Sequence, residues 1–364
     1  MKFNTKFYDK SYILDEISSD SYKHNINKNI AIHIHVFYID MLDIFIDYLK
    51  NSPYKFDLLI SVSSEENKNI CLQKMNNNSL KKLNKLLIKV VPNIGRDIAP
   101  LLIDFKEEQK EYDFICHIHT KKSLETIRDT EWLDYLLRNL IGEKAIKNII
   151  YYLNNDSSIG IIFPPVYMGV LHWVIELADI DRINMEQLLK LMEINFTLQN
   201  NNFLYSPGTM FWYKPNSLKK LFDLNLSLDD FPKEPIPTTG TIAHALERLV
   251  GIVAQNNGYK IKLYICREDL INSLIYAYEF KKDIINKDLE INSFKISIEE
   301  YKLKIPWFEI FNIYNNSNIL KIVIFGIKII IKITPKKINK IAWWIPVKKL
   351  RDNFRNKFNS KLIN

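Results

Sequence analysis

Apolar runs alternate with amphipathic stretches through the first half of the chain. The apolar runs start near residues 31, 56, 87, 114 and 158. Most of them are apolar at successive positions, which is typical of strands buried on both faces. Stretches with helical spacing lie between them, as in residues 40–50 and 131–142. This alternation predicts an α/β fold with a mostly parallel sheet flanked by helices.

The second half is less regular but contains one strong helical pattern. Residues 205–215 are aromatic and rich in turn formers, and residues 229–240 hold three prolines and predict a loop. Residues 241–255 repeat apolar side chains at helical spacing, and residues 260–267 are predicted to close the sheet as a strand. The predicted buried stripe of the helix is Ile242, Leu246, Leu249, Val250 and Val253, and His244, Glu247, Arg248 and Gly251 fall on another face.

The composition is that of an ordinary globular protein, with 47% apolar and 25% charged residues in a chain of 364. Cys71, Cys116 and Cys266 are far apart, which argues against a disulfide framework or a thiolate zinc site and suits a reducing compartment. The N-terminal residues lack the continuous apolar stretch of a signal peptide. We therefore expect the folded body in the cytoplasm.

The positive charge is concentrated at the C-terminal end. Residues 318–364 contain twelve Lys or Arg and one Asp, so they account for +11 of a net charge of +8 and leave the rest of the chain at −3. A mildly acidic body argues against nucleic-acid binding. Lys321, Lys328 and Lys332 would line one face of a helix, so residues 306–364 are predicted to be a basic amphipathic helical tail on an anionic membrane surface. An Ile-rich strand docked on the body is the alternative.

Polar motifs stand at the ends of two predicted strands, where parallel sheets bind ligands. In the motif PNIGRD, which begins at Pro92, Gly95 allows a tight turn and Asp97 is predicted to cap a helix. Arg96 could grip a diphosphate or sugar hydroxyls at two points. The same spacing also fits an ordinary turn with a capping Asp and a solvated Arg.

The second motif, HIHTKKS, starts at His117. Strand alternation puts His117 and His119 on one face, and Lys121 and Lys122 follow just past the strand end. Two histidines could share a metal ion, but adjacent lysines repel a divalent cation, so neutralisation of an anionic ligand is favoured. His33 and His35 repeat the pattern one strand earlier and are predicted to be buried histidines satisfied by backbone groups.

A third candidate set comes from the proline-rich loop and the helix after it. Glu234 lies in that loop, and His244, Glu247 and Arg248 share a helix face. Such a face could hold an acid–base group with orienting partners. It could equally be a network of salt bridges within a surface helix.

Together these stretches resemble the rhamnan synthesis protein F family of bacterial polysaccharide glycosyltransferases. The similarity covers roughly residues 28–270, and four motifs in order are more specific than any one of them. The motifs that carry it are PNIGRDIAPLL (92–102), YDFICHIHTKKS (112–123), PGTMFWYKP (207–215) and TIAHALERL (241–249).

The resemblance implies a GT-A-like, Rossmann-type glycosyltransferase domain, which we place at residues 1–305. It also implies a nucleotide-sugar donor, dTDP-L-rhamnose being the specific expectation. The acceptor would be a lipid-linked glycan of an O-antigen, capsule or rhamnan, at the inner face of the cell membrane. Many GT-A enzymes hold a divalent metal with Asp-x-Asp after the fourth strand, and this chain has His-Thr-Lys-Lys there. No metal ligand is therefore expected, and Mg²⁺ or Mn²⁺ is disfavoured.

We predict an inverting transfer with Glu234 as the base and with Arg96, Lys121 and Lys122 stabilising the departing nucleoside diphosphate. The family pattern has an Asp where this chain has Thr239, so either Glu234 substitutes for it or the base lies elsewhere. His244 and Glu247 are the other catalytic candidates. The remaining donor-binding candidates are Asn93, Gly95, Asp97, His119, Thr120 and Arg248. A non-catalytic, membrane-associated assembly protein of the same pathway is the alternative.

Overall fold

The computed structural model describes most of the body of the chain and three short segments near its end. The described residues are 12–17, 26–120, 128–170, 179–199, 203–237, 239–275, 312–316, 319–324 and 327–332. They fall into two compact units, one within residues 9–296 and one within residues 297–364. The predicted domain boundary after residue 305 lies outside the described residues and stays a prediction.

The first unit is built on a seven-stranded sheet in the order β3-β2-β1-β4-β6-β5-β7. Its strands are β1 (Ile30–Val36), β2 (Phe56–Val62), β3 (Leu83–Val90), β4 (Phe114–His119), β5 (Ile159–Phe163), β6 (Phe211–Tyr213) and β7 (Lys260–Leu263). β6 runs antiparallel to both of its neighbours, and the other neighbouring strands pair in parallel. The predicted mostly parallel α/β sheet is confirmed.

Helices cover both faces of this sheet. They are α1 (Leu42–Leu49), α2 (Glu65–Asn77), α3 (Arg128–Leu140), α4 (Glu143–Asn155), α5 (Asp179–Leu191), α6 (Lys219–Phe222) and α7 (Ile242–Asn256). Helices α1 to α4 share one hydrophobic core with strand residues such as Ile32 and Trp212. Helices α5 and α7 share the second core with strand residues on the opposite face, including Ala31 and Phe211. The polar cluster described below lies on this second face.

Local sequence explains how two of the helices begin. Ser64 precedes α2, and its hydroxyl accepts a hydrogen bond from the Asn67 amide. Thr241 precedes α7 and forms a reciprocal capping pair with His244. Such caps satisfy amide groups that have no partner within the first turn of a helix. The site side chain His244 is therefore fixed by the same interaction that starts its helix.

Helix α7 follows the predicted pattern and packs unusually close to the segment before β6. Leu246, Leu249 and Val253 are buried as predicted. Gly251 is also buried. It lies so close to Leu204 that a Cβ at this position would overlap the Leu204 carbonyl oxygen. The helix face that carries Gly251 is therefore packed against the protein rather than exposed.

The second unit corrects the prediction of a helical tail. Within the described part of residues 306–364, the chain forms an antiparallel sheet of β8 (Asn312–Asn316), β9 (Ile319–Ile324) and β10 (Ile327–Lys332). Isoleucine and valine dominate β9 and β10, and β-branched residues favour strands over helices. The spacing of the lysines fitted a helix, but the residues between them favour strands, and the segment forms β9 and β10. Of the helices in the described ranges, none is long and apolar enough to cross a bilayer.

Candidate functional site

Four histidines form a grid on one face of the sheet. In the strand register His33 pairs with His117, and His35 pairs with His119. The Nδ1 atoms of His33 and His117 are 3.0 Å apart, and His35 Nδ1 lies 2.9 Å from the Ser61 hydroxyl. These contacts are between side chains, so the prediction that His33 and His35 are satisfied by backbone groups is wrong.

Asp97 covers this grid from the loop after β3. Its carboxylate is buried, and its Oδ2 lies 3.6 Å from His117 Nε2, which is longer than a hydrogen bond. Neither of these two atoms has a hydrogen-bond partner in the described structure. Asp97 therefore faces the histidines, and the Ala99 amide that its side chain would cap donates to the Gly95 carbonyl at 3.1 Å instead. The segment that follows contains a short π-helical turn, Pro100–Asp104. The predicted capping role of Asp97, and the regular helix after it, are wrong.

Burial and mutual repulsion keep the buried histidines neutral. Burial, and then the charge of His117, lowers the pKa of His33 well below its usual value. Burial likewise lowers the pKa of His35 to about 4, although Asp97 acts in the opposite direction. Burial would raise the pKa of Asp97, but the nearby His119 and His117 outweigh it and hold that pKa below its usual value. Near neutral pH the cluster therefore holds the buried Asp97 carboxylate beside the neutral imidazoles of His33, His35 and His117.

The loop that carries Asp97 also projects Arg96 towards solvent. Gly95 and Arg96 both adopt left-handed backbone conformations, with φ of 72° and 53°. A Cβ on Gly95 would lie 2.6 Å from the Ala99 Cβ and 2.8 Å from the Phe231 ring, so only glycine fits there. The Arg96 side chain is 43% exposed. Asn93 is exposed in the same loop.

Arg96 is where two of the predicted motifs meet. A β-bridge between Ile94 and Lys233 brings the proline-rich loop alongside this loop. Arg96 Nε then lies 3.7 Å from Glu234 Oε1, and Arg96 Nη1 lies 3.4 Å from His244 Nε2. The other Glu234 oxygen accepts the amide of Ile236 at 3.0 Å. A cation is thus placed between a partly exposed carboxylate and an imidazole.

His244 is held neutral and fixed in orientation. Burial lowers its pKa, and the nearby Arg96 and Arg248 lower it further. Its Nδ1 lies 2.8 Å from the Thr241 hydroxyl. In the capping pair the Thr241 amide donates to His244 Nδ1 at 3.3 Å, which leaves the imidazole proton on Nε2. Because an arginine can only donate, the approach of Arg96 to Nε2 is then a close contact and not a hydrogen bond.

A second chain of contacts links His119 to helix α7. His119 Nε2 lies 2.7 Å from the carbonyl oxygen of Gly208, and the Gly208 amide donates to Glu247 Oε1 at 2.7 Å. Gly208 belongs to the loop before β6, and its φ of 89° favours glycine. Because β6 is antiparallel, the loop before it reaches the edge where β1 and β4 end. This loop carries the start of the motif PGTMFWYKP, and so brings that motif to the same edge of the sheet.

Two other predicted donor-binding residues have internal partners. The buried Thr120 hydroxyl accepts the amides of Phe37 and Tyr38, both at 2.9 Å, and so ties the end of β4 to the chain after β1. Arg248 donates to the His244 carbonyl at 2.9 Å, and its side chain is 15% exposed. Lys121 and Lys122 lie outside the described residues.

The prediction from sequence missed one buried carboxylate, that of Asp181. Asp181 lies on α5 and is fully buried. It accepts hydrogen bonds from the Thr239 hydroxyl and from the Gly240 amide, the latter at 2.8 Å, and it lies 3.4 Å from Arg248 Nη2. No local motif marks this residue, because its partners are distant in sequence. The one signal was the Asp expected before Gly240, where this chain has Thr239.

The described residues do not offer a metal-binding set. No group of three or more His, Cys, Asp or Glu in the described ranges is arranged to hold a metal ion. The Nδ1 atoms of His33 and His117 face each other, and Ser61 contacts His35, so these rings are turned towards partners within the protein. No chemical step below depends on a divalent cation.

Comparison with known proteins gives distant relatives. Two strains of Xanthomonas campestris pv. campestris each have an uncharacterised protein WxcX that is 23% identical over 232 residues. The alignment covers 63% of this chain and 32% of theirs, so the chain spans about a third of the length of the curated relatives it matches. A mannosyltransferase, PcManGT from Pyrobaculum calidifontis, solved with GDP-Man and Mn²⁺, aligns at 10% identity and a TM-score of 0.36. That alignment covers 67% of this chain and 56% of the mannosyltransferase.

The family comparison is more extensive. The rhamnan synthesis protein F family matches residues 2–259, which include strands β1 to β6 and the contacts of Arg96 with Glu234 and His244. The matched region covers well over half of the 364 residues. The chain therefore belongs to the rhamnan synthesis protein F family, as its four motifs predicted.

Proposed function

We propose that this protein is a glycosyltransferase of polysaccharide synthesis that moves a sugar from a nucleotide-sugar donor to a growing glycan. The observation that carries the proposal is the position of Arg96 between Glu234 and the neutral His244 at the ligand-binding edge of the sheet. Membership of a family named for rhamnan synthesis supports it. dTDP-L-rhamnose as donor and a lipid-linked acceptor are the specific form of the proposal.

Glu234 is the proposed base because its carboxylate is more accessible than those of Asp97 and Asp181. Its side chain is 29% exposed, whereas the side chains of Asp97 and Asp181 are 12% and 0% exposed. Glu234 would remove the proton of the acceptor hydroxyl as that oxygen attacks the anomeric carbon from the side opposite the leaving group. The bond to the nucleoside diphosphate breaks as the new glycosidic bond forms, with inversion at the anomeric carbon.

The cationic residues would stabilise the charge that develops on the leaving diphosphate. Arg96 can offer two N–H groups to phosphate oxygens, and Lys121 and Lys122 follow directly after β4 in sequence. Interactions of this kind speed the reaction because they strengthen as charge accumulates on the leaving group. His119, Gly208 and Glu247 would hold the loop before β6 beside the donor.

Donor binding and base catalysis can be tested separately. A thermal-shift screen with dTDP, UDP and GDP sugars should show stabilisation by at least one donor. Glu234→Gln should lower the transfer rate by a factor of about 10² to 10⁴ and leave the donor-induced shift intact, because only proton removal is lost. Asp229→Asn is the matched control, since it removes the same charge from an exposed position in the same loop. Stabilisation by no donor would favour the assembly protein, and full activity of Glu234→Gln would place the base elsewhere.

Transfer is expected to continue after divalent cations are removed. The reason is the pair of lysines that follows β4, where other GT-A enzymes have metal-binding aspartates. The measurement is the transfer rate after dialysis against EDTA, with and without added Mn²⁺ or Mg²⁺. A rate that falls in EDTA and returns with either ion would overturn metal independence but not the proposed transfer.

The basic C-terminal region is proposed to bring the enzyme to an anionic membrane surface, although its described part is a sheet rather than a helix. The full chain should co-sediment with vesicles that contain phosphatidylserine and not with neutral ones, and added salt should weaken the binding. Replacement of Lys348, Lys349 and Arg351 by glutamate should reduce it. Equal binding of the wild-type protein and the triple glutamate variant to anionic vesicles would contradict this role.

A further inference from the structure

The strongest unexplained feature near the site is a fully buried, charged side chain that contacts no proposed substrate group. Asp181 bonds to Gly240 and Thr239 and lies beside Arg248. A buried carboxylate is costly unless its oxygens are satisfied. Here both oxygens are used: Arg248 lies on α7, and Thr239 and Gly240 directly precede its capping residue, Thr241.

Asn184 completes the arrangement. It lies one turn after Asp181 on α5, and its Nδ2 donates to the Gly240 carbonyl at 3.0 Å. The two side chains therefore hold the amide and the carbonyl of one residue from the same side of α5. Gly240 has a φ of 89°, a conformation that glycine adopts without strain. We call Asp181 and Asn184 together the Gly240 clamp.

The clamp acts where the proposed catalytic groups depend on it. Gly240 directly precedes Thr241, whose capping pair with His244 starts α7. It also ends the loop that carries Glu234. The position of Gly240 thus sets the start of the helix that holds His244 beside Arg96, and anchors one end of the loop that holds Glu234.

We propose that Asp181 is a positioning residue for the transfer reaction, acting through Gly240 on His244 and on the Glu234 loop. This inference rests on the proposed function. The Asp181 carboxylate reaches Thr239 and Gly240 from a separate helix, α5. Because Asp181 is inaccessible, it orients the groups that react and does not itself accept the proton.

The test is a pair of substitutions with two independent readouts. Asp181→Asn keeps the size of the side chain and removes its charge. We expect kcat to fall between about 10- and 100-fold with little change in the donor KM, because misplaced groups slow the chemical step. Amide hydrogen exchange at residues 239–245 should accelerate in the same variant. Adding Thr239→Asp to Asp181→Asn returns a carboxylate to the junction and should restore part of both losses.

Controls separate a local effect from general destabilisation. Asp269→Asn removes another buried carboxylate that pairs with an arginine, Arg138, on the other side of the sheet. It should change stability without changing kcat or exchange at residues 239–245. Unchanged kcat and exchange in Asp181→Asn, or equal effects of the Asp269 variant, would overturn the inference. If the wild-type protein transfers no sugar, the proposed function fails, while the exchange data and the Thr239→Asp rescue still decide whether the clamp orders this junction.

Discussion

Replacement of Arg96 by methionine is expected to lower the rate of sugar transfer by about 10²- to 10³-fold without unfolding the protein. The side chain is 43% exposed, so its loss leaves no buried group unpaired apart from weak contacts at 3.4 and 3.7 Å. The rate falls because the leaving diphosphate loses the paired N–H donors of Arg96 as its negative charge grows. The measurement is kcat/KM for the donor, with the far-ultraviolet circular dichroism spectrum as the check on folding.

Two further variants sharpen this result. Arg96→Lys keeps the positive charge but not the paired N–H groups, so it should recover only part of the rate. Arg267→Met removes an exposed arginine outside the site and should leave kcat/KM unchanged. If Arg96→Met retains the wild-type kcat/KM, the diphosphate is bound elsewhere and the proposed donor site is wrong.

As the pH is lowered, the protein is expected to lose stability at pH values well above those at which ordinary carboxylates are protonated. The folded state lowers the pKa values of His33, His35 and His117, so the unfolded chain binds more protons below the usual histidine value of 6.5. Stability is therefore fully present above 6.5 and is lost as the pH falls through the folded values. For His35, whose folded pKa is about 4, the loss is about 3 kcal/mol by that pH. Asp97, whose pKa is lowered in the fold, loses its contribution at still lower pH.

The dependence of the free energy of unfolding on pH is measured by urea unfolding, followed by tryptophan fluorescence, at several pH values between neutral and acid. The slope of that dependence is the quantity to compare. Trp212 is fully buried in the core that the sheet shares with helices α1 to α4, and it reports the global transition. His35→Gln should flatten the slope because it removes one of the protons taken up on unfolding. A free energy of unfolding that stays constant down to about pH 4 would show that the histidines are not held neutral by the fold.

Sequence reasoning predicted the parts of the structure that depend on local patterns. The order of apolar runs predicted the sheet, and the 3.6-residue repeat predicted α7 close to its observed bounds, Ile242–Asn256. Strand alternation correctly put His117 and His119 on one face. The motif order predicted the family. The end of a strand predicted where Arg96 would lie, but not its contacts with Glu234 and His244.

The contacts that sequence could not predict are those set by distant residues. Asp97 resembled a helix cap because Asp is common there, but the buried histidines offered its carboxylate another set of neighbours. Nothing in the sequence around Asp181 indicates that it meets Thr239 and Gly240, which lie almost sixty residues away. Strand propensity outweighed lysine spacing in β9 and β10, since an isoleucine-rich segment fits either periodicity.

The close approach of Gly251 to Leu204 has a consequence for motion. Helix α7 touches the segment before β6 at two points one turn apart, at Gly251 and where Glu247 accepts the Gly208 amide. Sliding of that segment along the helix would break both attachments at once. The position of Gly208 is therefore coupled to α7 through Glu247, which lies one turn from His244 on the same helix.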